Sequence, residues 1–409
     1  MRLAVVSPFV DRRHGTERAL AELLERLAST YLCEIHLYAN RVEDLSLNDS
    51  DAALPAKTGG IFWHKVPSVP GPYLFQFVSW FYLNRFWRWA HTFFRGSSFD
   101  LVLSLGINCA DADVVIVHVL FHRLRELSQE EAEAPPPRPG FLRRLHRRSY
   151  YGFLADRESH TYSDPTVALA AVSPRTAALL GKYFHREDVC VIPNGVDSSQ
   201  FSPTTRLSLR AQARTLRHFH ENDFVLLLIG NDWGNKGLPT ILEALQKLSD
   251  TPAKLLIVGN DSASSLRAMA ARLGVLDRCI WEPARAEILD AFAAADVYVS
   301  PSREDSFGMP VAEAMACGLP VITSVFAGVS SLLHDGTDGF VLRDPRDVES
   351  LANLLRMLCE HGELRTRMGQ AAAKIALEWT WERNAAEIWE FLKEADAKSH
   401  SSKVLHGEP

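Results

Sequence analysis

One rhythm in the sequence narrows the fold more than any single motif. Short aliphatic and β-branched runs, Leu3–Val6, Ile35–Tyr38, Leu101–Leu105 and Val114–Val117, each stop near turn or polar residues, with helical spacing between them. The rhythm returns in Phe224–Ile229, Leu255–Val258, Val297–Ser300 and Val321–Thr323, separated by helical segments such as Leu238–Leu248 and Ser265–Leu273. Apolar strands alternating with helices are the pattern of an open parallel sheet covered on both faces. Two such sets in 409 residues predict two α/β domains, since one core of ordinary size rarely grows so large. The junction is expected near Val191-Ile192-Pro193-Asn194-Gly195-Val196-Asp197, where an Asn-Gly turn follows a strand-like run and the polar stretch to about Asp223 interrupts the rhythm. The expected division is 1–190, 191–378, a returning helix over 379–395 and a disordered tail over 396–409.

Charge and apolar patterning exclude several partners. A net charge of -6 argues against general affinity for nucleic acid, so an anionic ligand must be gripped locally. Six cysteines lie far apart without a C-x-x-C pair and read as reduced, mostly core thiols. The apolar run after Met1 stops at Pro8, too short for a signal peptide, which leads to the expectation of a cytoplasmic protein. Tyr73–Leu83 is the most apolar stretch and reaches about half of the ~20 residues needed to span a bilayer. Beyond it, helical spacing puts Tyr82, Leu83, Phe86, Trp89, Ala90 and Phe93 on one side, and Arg85, Arg88, Thr92 and Arg95 on the other. That basic amphipathic segment fits either a core helix or one lying on an anionic membrane at the inner face of the plasma membrane. Ser128–Gly140 turns from Glu-rich to Pro-rich and reads as a loop, and the basic cluster Arg143–Arg148 follows it.

The second half carries the chemistry. Asp305-Ser306-Phe307-Gly308-Met309-Pro310 reads as a loop entering a helix, with Pro310 in the first turn and Gly318 at the stop. Glu313 is the one charge on an otherwise apolar helix, and a buried carboxylate is costly unless paired or aimed at a ligand. Complementing the positive helix end is the alternative role. Gly230-Asn231-Asp232-Trp233-Gly234-Asn235-Lys236-Gly237 follows a strand and precedes a helix, where backbone N–H groups and a lysine can hold a diphosphate. A plain glycine-rich turn with a solvated lysine fits the same residues.

Pro301-Ser302 through Phe307-Gly308, with Glu313-Ala314-Met315-Ala316-Cys317-Gly318-Leu319-Pro320-Val321, resembles the P-S-x-x-E-x-F-G-x(4)-E-A-M-A-x-G-x-P-V signature of glycosyltransferase family 4. Residues 230–237 resemble that family's G-R-x(4)-K-G loop, and His14-Gly15-Thr16-Glu17-Arg18 its G-G-x-E-R loop. Val191–Phe201, Ala294–Val297 and Trp379–Arg383 add further likeness, strong from Val191 to about Leu392 and thinner before it. The resemblance implies a GT-B architecture: two Rossmann-like domains with parallel sheets facing across a cleft, the first for the acceptor and the second for a nucleoside-diphosphate sugar. It implies retention of anomeric configuration without a metal or other cofactor, and no D-x-D pair stands at a strand end in the second half.

Residue by residue, the resemblance places Lys236 at the donor phosphates and Glu313 at the ribose. It places the carboxylate of Asp305 at the donor sugar, with Phe307, Gly308 and Met309 in the donor loop. Gly15 and His118 are implied near the donor phosphates and reacting sugar. Three positions depart from the family pattern: His14 replaces its first glycine, Asn231, still placed among the donor-binding residues, replaces an arginine, and Asp305 replaces a glutamate. Arg303 is a candidate to supply the charge missing at Asn231, and Glu304 is an alternative to Asp305. The segment Trp281–Arg285 stands where the family packs the nucleotide base. The activity so implied is hexose transfer to a glycan or lipid-linked acceptor in cell-envelope or exopolysaccharide synthesis. An epimerase or hydrolase of the same fold, or a non-catalytic glycan-binding subunit, remain the alternatives. A dinucleotide-dependent dehydrogenase is disfavoured, since no G-x-G-x-x-G follows the first strand.

Overall fold

The computed structural model describes residues 1–48, 59–95, 98–133 and 141–406. It divides into two compact units, Met1–Pro193 with Asn384–Pro409, and Asn194–Arg383.

In the first unit the strands are β1 (Arg2–Val6), β2 (Phe9–Val10), β3 (Glu34–Ala39), β4 (Arg41–Val42), β5 (Gly60–Lys65), β6 (Leu101–Leu105), β7 (Val114–Val117), β8 (Ala168–Ala171) and β9 (Cys190–Val191). The helices are α1 (Gly15–Ser29), α2 (Tyr73–Arg95), α3 (Phe121–Glu133), α4 (Phe141–Tyr162) and α5 (Pro174–Phe184). Seven strands form one parallel sheet in the order β5-β3-β1-β6-β7-β8-β9, while β2 and β4 pair separately. β1, β3 and β7 are almost wholly buried, which is why they read as continuous apolar runs.

The second unit contributes α6 (Pro203–Leu216), β10 (Phe224–Ile229), α7 (Leu238–Lys247), β11 (Ala253–Val258), α8 (Ser264–Arg272) and β12 (Cys279–Glu282). It continues with α9 (Leu289–Ala294), β13 (Val297–Ser300), α10 (Met309–Ala316), β14 (Val321–Ser324), β15 (Phe340–Leu342), α11 (Val348–Glu360) and α12 (Gly362–Ala376). Its parallel sheet runs β12-β11-β10-β13-β14-β15. The chain therefore winds outward from β10 in one direction and resumes at β13 in the other. Ligands of doubly wound sheets bind at such a switch point, beyond the carboxyl ends of the strands. In the first unit the corresponding point falls between β1 and β6.

Three expectations are corrected. Helix α3 continues through Glu133, so the first part of the expected 128–140 loop is helical; residues 134–140 lie outside the described residues. Helix α13 (Trp381–His406) runs unbroken past Asp396, where a disordered tail was expected. It packs in the first unit, where Trp389 stacks on Tyr31 at 5.2 Å.

The third correction concerns α2. Phe77, Trp80 and Phe81 enter the core, Asn84 is fully buried, and Arg88 is 5% exposed with its guanidinium 2.6 Å from Asp111. The aromatic side, which the sequence allowed to face either the core or a membrane, is turned outward, with Tyr82, Phe86, Trp89, Phe93 and Phe94 exposed. Burying Arg88 is made less costly because its Nη2 donates to both Asp111 and Asn84, the former from a distant part of the chain. Among the described residues no helix is long and apolar enough to cross a membrane.

Candidate active site

Two loops converge at the switch point of the second sheet. The first leaves β10 at Gly230 and enters α7 after Gly237. Trp233, 3% exposed, anchors it, and its turns are closed by the Lys236 N–H donating to the Asp232 carbonyl (3.0 Å) and the Leu238 N–H to the Trp233 carbonyl (3.0 Å). Gly237 is required as glycine: its φ is +81°, and a Cβ there would sit 2.3 Å from the Pro301 carbonyl oxygen. That close approach brings the second loop, Pro301–Gly308, against the first.

Polar bonds hold the two loops together. The Arg303 N–H donates to the Asn235 carbonyl (2.8 Å), and Asn235 Nδ2 donates to the Glu304 carbonyl (2.7 Å). Lys236 Nζ then meets Asp305 Oδ2 in a partly buried ion pair. The backbone of Asp305 is fixed from the other side, by its N–H to the Phe326 carbonyl (3.0 Å) and by the Gly328 N–H to its own carbonyl (2.8 Å). Of the neighbouring acids, Asp305 therefore turns its carboxylate to the lysine. Glu304 presents its peptide carbonyl to Asn235.

Helix α10 starts where the second loop ends. Gly308 precedes it with φ +96°, Phe307 and Met309 are buried, and Pro310 lies in its first turn. Glu313 is 1% exposed on this helix. Beneath both carboxylates Tyr298 donates its hydroxyl to the Ile229 carbonyl, tying β13 to β10. Burial, reinforced by Asp305 and more weakly by Glu313, pushes the Tyr298 phenol well above its usual range. Burial and Glu313 do the same to the Cys317 thiol.

Asn231, which stands where the family pattern has an arginine, is tied to the neighbouring loop. Its Oδ1 accepts from the Asn260 N–H (2.7 Å), and Asn260 Oδ1 accepts from the Ala284 N–H (3.0 Å), so the loops after β10, β11 and β12 are linked by two side-chain amides. Beside them is a cavity of about 560 Å³ lined in part by Trp233, Asn260, Asp261, Arg267, Trp281 and Pro283. Trp233 and Trp281 meet edge to face at 5.3 Å, and the Arg267 guanidinium lies 5.2 Å over the Trp281 ring. Trp233, Asp261 and Arg267 were not singled out from sequence. The signal that could have found them is their position after strand ends, since no motif marks them.

Arg285, in the stretch aligned with base packing, is held within the protein. It pairs with Glu282 (2.6 Å) and Asp290 (2.8 Å), both of which also bind Arg217, whose side chain is 3% exposed. Burial raises the pKa values of Glu282 and Asp290, but the hydrogen bonds and charges of the two arginines outweigh it and hold both below the usual carboxylate range.

Gly15 and His118 belong to the first unit, and the other candidate residues to the second. Gly15 is the first residue of α1. The turn before it is built by Asp11, 1% exposed, which accepts from the Arg13 N–H (2.9 Å), the His14 N–H (3.0 Å) and the His14 ring (2.9 Å). His118 follows β7 and is 7% exposed. Arg303 is half-buried in the second loop, with its backbone bonded to Asn235.

Comparison with known proteins gives this geometry a relationship. Residues 13–200 match the family model described as Glycosyltransferase Family 4, and residues 212–375 the model described as Glycosyl transferases group 1. Lipopolysaccharide glucosyltransferase WaaG of Escherichia coli is 26% identical over 250 residues, covering 60% of this chain and 67% of WaaG. A D-inositol 3-phosphate glycosyltransferase of Paenarthrobacter aurescens is 28% identical over 295 residues, covering 69% of this chain and 67% of that protein. Among solved structures, that of WaaG superposes with a TM-score of 0.75 at 21% identity over 94% of this chain and 99% of that one. Anabaena HepE in complex with UDP and glucose gives 0.65 at 19% identity over 96% and 99%. The fold is thus the α/β GT-B class, with two Rossmann-like parallel-sheet domains.

Proposed function

This chain belongs to glycosyltransferase family 4, and from that premise we propose that it moves a hexose-type sugar from a nucleoside diphosphate to a hydroxyl of a glycan or lipid-linked acceptor, with retention of anomeric configuration. The observation that carries this reading is the Lys236–Asp305 pair at the switch point of the second sheet, with Glu313 behind it on α10. Transfer leaves negative charge on a phosphate oxygen and positive charge on the sugar carbon. Lys236, with backbone N–H groups of the Gly230–Gly237 loop, would stabilise the leaving diphosphate. Asp305 would face the sugar and Glu313 would hold the ribose hydroxyls. The cavity beside Trp281 has the size and aromatic lining for the base. In this account the protein's own cation and dipoles meet the diphosphate, and no metal is needed.

Gly15, at the start of α1, and His118, just after β7, would serve the donor phosphates and the acceptor reaction. UDP-glucose is the donor to try first, because HepE has been solved with it. A cell-envelope role follows the likeness to WaaG, a lipopolysaccharide glucosyltransferase. The exposed aromatics of α2, flanked by Arg85, suit the headgroup region of an anionic membrane. On that reading the protein acts from the inner face of the plasma membrane. Vesicle co-sedimentation that is unchanged by the Trp89→Ser, Phe93→Ser double variant would remove this element.

The deciding experiment incubates donor with and without an envelope-glycan acceptor extract and follows nucleoside diphosphate release and the labelled sugar. Acceptor-dependent release with sugar in the glycan is expected. Full-rate sugar release without acceptor would favour an epimerase or hydrolase, and absence of nucleotide binding would favour a non-catalytic subunit.

A further inference from the structure

Away from these residues, the first unit gathers three histidines on one face of its sheet. The register pairs His36 with Phe62 and Tyr38 with His64, so alternation along β3 and β5 turns His36, Tyr38, Phe62 and His64 to the same side. Helix α2 covers that side and sets the His91 ring 4.4 Å from His64 and 5.1 Å from His36. One ring nitrogen from each histidine lies within 4.8 Å of the other two, and His36 Nδ1 is 2.9 Å from His64 Nε2.

We propose that His36, His64 and His91 form a binding site for a divalent transition-metal cation of the zinc class, holding α2 to the sheet. Nitrogens bound to a tetrahedral ion at ~2.0–2.1 Å are about 3.4 Å apart, so shifts of roughly an ångström bring these rings to ligating distance. An all-imidazole set suits zinc, copper or nickel and not magnesium or calcium. The supporting contacts have the matching chemistry. His36 Nε2 is 2.8 Å from Glu34 Oε1, and donation to that carboxylate turns the Nδ1 lone pair toward the other histidines. Arg2 Nε, 3.3 Å from the same Nε2, donates to Glu34 Oε1 at the shorter 2.8 Å, so with Nε2 protonated the carboxylate oxygen accepts from both. Tyr38 Oη lies 2.5 Å from His91 Nδ1, a hydrogen bond that fixes the His91 ring. His64 and His91 are half-buried and line a cavity of about 450 Å³ together with Trp63, Lys65, Phe86 and Phe94, which gives a cation a path of entry.

The cation is distinct from the transfer site proposed on the second unit. The test uses the untagged full-length chain, dialysed after zinc loading, and read by elemental analysis, Co²⁺ absorption and thermal unfolding. Expected are one equivalent of zinc per chain, the intense visible bands of tetrahedral Co²⁺, and a rise in Tm on adding zinc that a chelator reverses. His64→Gln and His91→Gln should abolish all three while preserving the far-ultraviolet circular dichroism. Glu34→Gln keeps the ligands and should weaken Co²⁺ binding by roughly tenfold or more, which decides the matter should a ligand variant fail to fold. Failure to retain zinc overturns the proposal. So does retention with an unaltered cobalt spectrum in His64→Gln and His91→Gln, or an unaltered Co²⁺ affinity in Glu34→Gln.

Discussion

Lys236 Nζ lies 2.5 Å from Asp305 Oδ2, although the two residues come from loops leaving different strands, β10 and β13. Both side chains are less than a fifth exposed, so solvent screens the pair only in part. A donor diphosphate has to draw Lys236 away from Asp305 or share it. Asp305→Asn should therefore leave nucleoside diphosphate binding as tight as in the wild type or tighter, while transfer falls by about 10²-fold. Calorimetric titration and steady-state kinetics on one preparation check the two halves of this expectation.

Glu313 is buried on α10, and an isosteric amide there removes a charge without changing shape. Glu313→Gln is expected to fold with undiminished Tm and to bind a nucleoside-diphosphate sugar roughly tenfold or more weakly, the value of a hydrogen bond to a charged group. Calorimetry with matched uridine and 2′-deoxyuridine diphosphate donors would show the difference between them shrink in the variant.

Gly237→Ala should cost about 1–3 kcal/mol, because it combines a left-handed backbone with a Cβ driven into the Pro301 carbonyl. Gly234→Ala, three residues earlier, meets nothing closer than 4.0 Å and should be tolerated. Chemical denaturation and donor binding of the two variants, measured side by side, would separate the roles of these glycines.

Acid should destabilise the second unit through Glu282 and Asp290. Their folded pKa values are depressed, so their contribution is present above the unfolded carboxylate values of about 4 and is lost as pH falls through the lower folded values. Arg217→Ala leaves Arg285 to hold both acids, costs roughly 3 kcal/mol at neutral pH, and flattens the acid limb of stability against pH. Thermal unfolding from neutral pH down to about pH 3 measures both effects.

The strands that position the donor residues were readable because Phe224–Ile229 and Val297–Ser300 are buried on both faces and so are apolar throughout. Short strands such as Phe9–Val10 and Phe340–Leu342 lack that length and were not identified. Helix α2 could not be oriented from its sequence for a specific reason: its apolar residues outnumber the positions the core can take. Which side turns inward is decided by Arg88 reaching Asp111, more than twenty positions later. The His36, His64 and His91 cluster is invisible to spacing, since it needs two strands in register and a helix laid across them. At the candidate site, the motif located Lys236 and Asp305 but not their pairing, and it placed Asn231 among the donor-binding residues without showing that its amide links neighbouring loops.

The most direct test of the central claim is to titrate UDP-glucose, and then the other common nucleoside-diphosphate sugars, into the wild-type chain and into Lys236→Ala, and to assay transfer by both. The account predicts donor binding by the wild type, at least tenfold weaker binding by the variant, and transfer reduced by about 10²–10³-fold. Equal binding and equal transfer by the two proteins would contradict it.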